Sequence, residues 1–394
     1  MKSKLNSRML IILTLIFVLF FVLAQVNLTW AEQKKVVKIG FIDPLTGPSA
    51  AIGIGAKNSS ELAVRQANAS GEFPYEIKLV AEDDASDPAT GVAAALELCS
   101  DPEVVAVISH FNSPVALATV HIFHRFGVAQ IMPSSIHPDV TRGNDYKEVT
   151  RICADNIAEH NFGTDLVIKE LGYKKWSIIY DTSSYGVNCN TNFKRSLSEC
   201  GGILLSEDGI SVGTKDFRPI LTKIKELNPE GIYFGGLYTE AALCKRQMHE
   251  LGMDNVLFFG VTGFDSVTFN EIAGSPAEGT IEVGKLALGE ESPFVKDYKA
   301  AGFKEPYEAT GPYAYDAIGI ILGALKKVGP DRKAIVDYIA DPDFRYTGAI
   351  GLTILDEDGQ SLTGGLTMKI SQDGKWIPWD KSEYVTGKRK LPGR

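Results

Sequence analysis

The clearest chemistry in this chain can be built on Ser113. It stands after a run of β-branched apolar residues over 104–108, which reads as a buried strand. Pro114 follows and suits the first turn of a helix. A helix start presents unpaired N–H groups and a partial positive charge, which together favour an anion. The serine hydroxyl would add a donor to that site, or it would cap its own helix, which is its commonest use there. On this turn alone both readings stay open. Phe111 and Asn112 belong to the same turn. Ser134, Ser135 and Ile136 lie in PSSIHPDVT, and Tyr185 lies in DTSSYG, each behind another apolar run.

Other chemistries find less support. GxSxG, HExxH and GxxxxGK[ST] do not occur, so no enzyme class is indicated. His121 and His124 are spaced i, i+3, and His110 and His137 lie nearby in sequence. They lack the spacing and partners of a zinc site and read as surface or helix-flank residues. Glu82, Asp83, Asp84 and Asp87 read as capping and solvated acids, because their spacing is not that of an EF-hand. No metal or cofactor is expected.

The elements that would position these residues alternate. Strands are predicted over 36–43, 77–83, 104–108 and 128–132, with helices over about 54–69, 87–99 and 113–126 between them. The pattern restarts after Arg151: a helix over 157–171, strands over 176–180, 231–234 and 256–260, and helices to 200 and 251. Residues 217–227 read as an amphipathic helix, and further helices are predicted over 294–301, 313–328 and 332–339. Alternation of this kind predicts α/β architecture with parallel sheets, whose ligands sit beyond the carboxyl ends of the strands. Two short antiparallel strands are expected around DEDG at 356–359, and the tail from Ser382 reads as loose.

The ends and the composition set bounds. Lys2, Lys4 and Arg8 precede an apolar run over 9–24 and small residues ending at Ala31, the layout of a secretory signal peptide over 1–31. Removing those three bases from the 40 basic residues, against 49 acidic ones, takes the formal charge from −9 to −12. That balance argues against nucleic acid and anionic membranes as partners. The remaining length fits two domains. Five cysteines leave at least one unpaired, and they read mostly as small buried side chains.

The segments KIGFIDPLTGPSAAIG, EDDASDPATG, SHFNSP, MPSSIHPDVT, IIYDTSSYG, KDFRPILTKIKELNPEGIYFGG, EIAGSPAEGT and GPYAYDAIG together resemble the Leu/Ile/Val-binding type of periplasmic solute-binding protein, a type I periplasmic binding fold. The resemblance covers nearly all of the chain after the leader. It implies two doubly wound parallel-sheet lobes joined by three crossover strands. Lobe one would take 32–153 plus 281–348, and lobe two 154–280 plus 349–394. It also implies a monomeric, periplasmic receptor that closes over a small ligand and delivers it to the permease and ATPase subunits of an ABC importer. A ligand-sensing module of a signalling system is the alternative output.

By the same resemblance, Ser113 matches a serine that grips a ligand carboxylate, and Tyr185 a tyrosine that closes from lobe two. Ile52, Phe111, Asn112, Ser134, Ser135, Ile136, Leu237, Tyr238 and Thr262 complete the expected ligand-binding set. Ile136 stands in place of a threonine, Thr262 in place of an ammonium-binding glutamate, and Ile52 and Leu237 in place of aromatic residues. Ser86 and Asn112 occupy the positions of the family's lobe-one disulfide. These departures point to a ligand with an apolar body and a carboxylate or similar polar end, lacking an α-ammonium. A true amino-acid binder would need a rearranged ammonium site, with Asp265 or Glu240 supplying the charge.

Overall fold

The computed structural model describes residues 35–394 together with Thr14 and Ile16. The leader expected over 1–31, those two residues aside, lies outside the described residues. In the first sheet, β1 (Val36–Asp43) is an interior strand, and its last five residues are buried. Helix α1 (Ala50–Ser70) leads to β2 (Glu76–Asp83), and α2 (Pro88–Ser100) to β3 (Val104–Ser109). Helix α2 starts in textual order as its residues dictate: Asp87 accepts the Thr90 N–H at 2.8 Å, and Pro88 occupies the first turn. All six residues of β3 are buried, as a strand covered on both faces requires. Helix α3 (Ser113–Phe126), β4 (Ala129–Met132) and β5 (Val149–Arg151) complete a parallel sheet of order β2-β1-β3-β4-β5.

The chain then crosses to a second sheet. Helix α4 (Asn156–Thr164) is capped by Asp155, and β6 (Lys175–Asp181), α5 (Ser184–Glu199) and β7 (Ile203–Ile210) follow. Helix α6 (Arg218–Glu226), β8 (Gly231–Gly235), α7 (Tyr238–Glu250), β9 (Leu257–Gly260) and β10 (Ile281–Lys285) extend it. The chain returns to pack α8 (Gly311–Val328) against α1, forms the hairpin β11 (Arg345–Gly348) and β12 (Gly351–Ile354), and re-enters the second sheet through β13 (Leu366–Gln372) and β14 (Lys375–Pro378). That sheet runs β14-β13-β10-β9-β8-β6-β7, with β13 and β14 antiparallel to their neighbours and the rest parallel. Trp176, fully buried under it, meets Tyr173, Phe193 and Phe259 edge-on.

Several expectations change. The boundary expected before Ile281 moves past Lys285, because β10 hydrogen-bonds to β9 and β13. The boundary expected after Gly348 moves toward Leu366, because β11 and β12 pair only with each other. The antiparallel strands therefore meet ahead of DEDG, whose flanks make only an isolated bridge, Leu355 with Ser361. The tail is anchored. Tyr384 donates to Glu278 at 2.6 Å, Arg389 pairs with Glu278, Asp373 and Glu383, and Tyr173 donates to the Pro392 carbonyl at 2.6 Å. Arg394 lies over the Tyr173 ring at 4.2 Å. All five cysteines are free thiols; four are buried and Cys200 is half-buried.

Candidate ligand cleft

The strand ends of the two sheets face one another across a cavity of about 270 Å³. On the first-sheet side it is lined by Ser49 at the start of α1, Ser86 after β2, the turn Phe111–Pro114, and Ser134 and Ile136 after β4. On the second-sheet side it is lined by Asp181, Ser183 and Tyr185 after β6, Val212 and Gly213 after β7, Leu237, Thr239 and Glu240 after β8, and Thr262 and Gly263 after β9. Placement at strand carboxyl ends is where an open α/β sheet gathers a ligand site.

Ser113 is not a cap. It is the first residue of α3, Asn112 is the flanking residue, and no side-chain cap bond forms. The Ser113 hydroxyl is reached instead by that of Ser135, at 3.4 Å. Pro114 has no N–H and the Ala116 N–H bonds to the Asn112 carbonyl at 3.0 Å, so the first turn leaves the Ser113 and Val115 N–H groups for a ligand beside the cavity that Ser113 lines. The Asn112 side-chain oxygen is buried there without a partner. On the neighbouring loop, Ser134 shares a hydrogen bond of 3.2 Å with Thr310.

Three expected residues do not line the cavity. Ser135 sits behind Ser113, fully buried. Ile52, on α1, packs with Phe111 into a cluster that continues into Phe234 and Phe264 of the second-sheet side. Tyr238 turns its hydroxyl across the mouth to donate to the Pro48 carbonyl at 2.7 Å. Ile52 and Tyr238 therefore hold the two halves together beside the cavity. Gly53 lets α1 pack on the loop that follows β1, since a Cβ there would lie 2.0 Å from the Pro44 oxygen.

Arg151 was not singled out by sequence. Buried Arg151 donates to the carbonyls of His137 at 2.6 Å and Ser135 at 3.3 Å and to Thr141, fixing the loop that carries Ser134 and Ile136. The acids after β2 also shape the cleft. Asp83 accepts from the Leu45 N–H at 2.8 Å and from the Thr46 hydroxyl, and Asp84 accepts from the Ser86 N–H at 2.9 Å. Ala85 and Ser86 take positive φ as a result of that turn. Asp84 is fully buried against His110, whose other nitrogen meets Thr119 at 3.0 Å; neither residue is the solvated or surface group expected. An acid directly after a strand that is followed by a short loop is the signal that could have found them.

The electrostatics are one-sided. None of the side chains lining the cavity is basic, while Asp181 and Glu240 both line it and burial raises both carboxyls. Asp181 accepts the Ser183 N–H at 2.9 Å, and Glu240 the Gly213 N–H at 3.0 Å. Asp265 does not face the ligand, contrary to one expectation: it pairs with Lys369 at 2.5 Å and accepts the Lys285 N–H at 2.8 Å. Behind Thr262 stands Glu159 of α4, which accepts the Thr262 hydroxyl. Burial pushes the Glu159 carboxyl up to about 8, against the opposing charge of Lys285. Thr262 is thus backed by an acid that burial keeps largely protonated at neutral pH.

Residues 36–375 match the periplasmic binding protein family. The chain belongs to that family. Among curated relatives, this periplasmic binding protein is 33% identical over 357 residues to Leu/Ile/Val-binding protein homolog 2 of Brucella abortus, covering 88% of this chain and 94% of that one. It is 30% identical over 346 residues to homolog 3 of Brucella melitensis, covering 86% and 93%. Among solved structures, it is similar to the leucine-binding protein LivK of Thermotoga maritima, with a TM-score of 0.79, 28% identity and coverage of 87% and 97%. It is also similar to LivJ of Streptococcus pneumoniae in complex with isoleucine, with a TM-score of 0.79, 25% identity and coverage of 87% and 98%. A solute-binding protein of Rhodopseudomonas palustris in complex with benzoate shares the fold, with a TM-score of 0.77 at 22% identity and coverage of 87% and 95%. The LivJ and Rhodopseudomonas palustris proteins are substrate- or solute-binding proteins of transporters.

Proposed function

We propose that this protein is the receptor of a branched-chain amino-acid-type ABC importer, binding a small ligand that carries a carboxylate and an apolar body. One observation carries the ligand class: Ser113 is the first residue of α3 and lines the cavity without serving as a cap, at a helix start that favours an anion. The ligand carboxylate sits there, and the apolar body lies against Phe111, Ile136, Leu237 and Tyr185. Ligand contacts to both halves favour the closed arrangement, which the membrane permease then recognises. Export with loss of residues 1–31 places the receptor in the periplasm, and an intact mass of exported protein beginning near Glu32 is the expected result. The relatives' names, which include Leu/Ile/Val binding and leucine binding, support aliphatic amino acids as the first compounds to try. A thermal-shift screen of aliphatic amino acids, their amides and aliphatic or aromatic carboxylates tests the reading, because a ligand that binds only the native state raises the melting temperature. Carboxylates are expected to stabilise and the matching amides to do so far less. Equal shifts from both would remove the helix end as the anchor.

A further inference from the structure

On the wall of the cleft opposite the α3 start, Thr262 and Gly263 have their donors already spent. A threonine hydroxyl has one proton and two lone pairs. That of Thr262 is given to Glu159, and the N–H of Gly263 is given to the Tyr185 hydroxyl at 3.1 Å. What Thr262 turns toward the cavity is therefore lone pairs. Glu159 is 1% exposed, and its second oxygen, Oε2, has no partner. The ammonium of Lys285, also buried, has no hydrogen-bond partner and lies over the Tyr313 ring at 5.7 Å. Burying a carboxyl with so few partners is costly, and its single hydrogen bond is to a residue that lines the ligand cavity. Glu159 keeps an acceptor on Oε1 as a carboxylate, and as an acid whose proton sits on the unpartnered Oε2.

We propose that Glu159 is a specificity-positioning residue: by holding the Thr262 proton it makes Thr262 an acceptor, so the cleft selects carboxylates that also carry an N–H or O–H donor. The preferred ligands are 2-amino or 2-hydroxy acids with an aliphatic body; 2-oxo acids and plain fatty acids of the same skeleton are disfavoured. Asp181 and Glu240 on the same side add acceptors and no competing base. This inference rests on the receptor reading given above and narrows it.

Four compounds of one skeleton test it by calorimetry: leucine, 2-hydroxy-4-methylpentanoate, 4-methyl-2-oxopentanoate and 4-methylpentanoate. The first two should bind at least ten-fold more tightly than the last two, and their comparison separates an amine from a hydroxyl donor. Glu159→Leu frees the Thr262 proton to turn toward the cavity, so the ratio of hydroxy to oxo acid should fall to near one or invert. Glu159→Gln retains an acceptor oxygen and should retain the wild-type ratio, which a purely structural role would not distinguish from Leu. Thr262→Val should flatten the ratio without touching Glu159, and serves if Glu159→Leu does not fold. Binding of all four compounds alike, or an unchanged ratio in folded Glu159→Leu, overturns the inference and leaves the receptor reading standing. Binding of none of them overturns both.

Discussion

Ser113 shows how one residue can be legible by type and misread by role. Its sequence position fits either a cap or an anion site, and the two differ by a single residue of helix phase. The structure puts it one place inside the helix, so the hydroxyl is available to a ligand. Ser113→Ala should therefore weaken carboxylate binding about ten- to a hundred-fold, the equivalent of a charged hydrogen bond of about 1.5–3 kcal/mol. Melting should change little, since no cap is lost. Calorimetry and a melting curve on the same sample check both halves, and an unchanged affinity would return Ser113 to a packing role. Thr262 was legible as a neutral residue in the cleft, whereas its acid partner was not. Glu159 lies 103 positions away on another element, and its spacing within α4 carries no trace of what it touches. Arg151 was invisible for the same reason: its partners are two loop carbonyls, whose groups look alike in every sequence, and the side chains of Thr141 and the distant Gln360.

At the level of elements, the buried parallel strands were readable because a strand covered on both faces is a short continuous apolar run. The edge strand β7 was not. ILLSEDGI of β7 is mostly exposed or half-exposed and mixes acids with aliphatic residues, so its pattern matches no template, although Val212 and Gly213 just beyond it line the cleft. Strands β13 and β14 escaped likewise, their antiparallel pairing resting on register with β10 and with each other. The junction between halves has its own element-scale test in Tyr238, at the first turn of α7, which spans the mouth to Pro48. Tyr238→Phe keeps the ring and removes a bond worth about 0.5–1.5 kcal/mol in the closed form alone. Apparent affinity should fall about two- to ten-fold, because the competent state becomes rarer. The melting point of each half should hardly move. Scattering profiles of the empty protein should shift toward a more open form, and unchanged profiles with unchanged affinity would remove Tyr238 as a latch.

The whole molecule carries an unusual load of buried acids, and this sets its response to pH. Burial raises the carboxyls of Glu159 to about 8, Glu308 to about 7 and Asp316 to about 6. A carboxyl whose folded value lies above its unfolded value contributes stability that is complete below the unfolded value and is lost as pH rises through the folded one. Burial pushes His160 down to about 4, so its contribution is lost as pH falls from its ordinary 6.5 toward that value. Stability should therefore decline between pH 6.5 and 8, on the order of 2 kcal/mol, and Glu159→Gln should flatten the decline. Denaturant melts at three pH values check this; a flat wild-type profile would contradict it. The two-lobed architecture itself was legible from alternation and resemblance, while the points where the chain changes sheet were not, because β10 and β13 are assigned by pairing partners far apart in sequence. The free cysteines, finally, have a practical consequence for following closure. Burial pushes the thiols of Cys99 and Cys189 up to about 12 and raises those of Cys153 and Cys244, so their reactive thiolates are scarce at neutral pH. A dye-bearing maleimide should leave those four unlabelled in the native protein, with Cys200 the one endogenous competitor among the described residues. One Cys200→Ser change would then turn the receptor into a clean scaffold for a paired-fluorophore ruler, prepared with no oxidative refolding step.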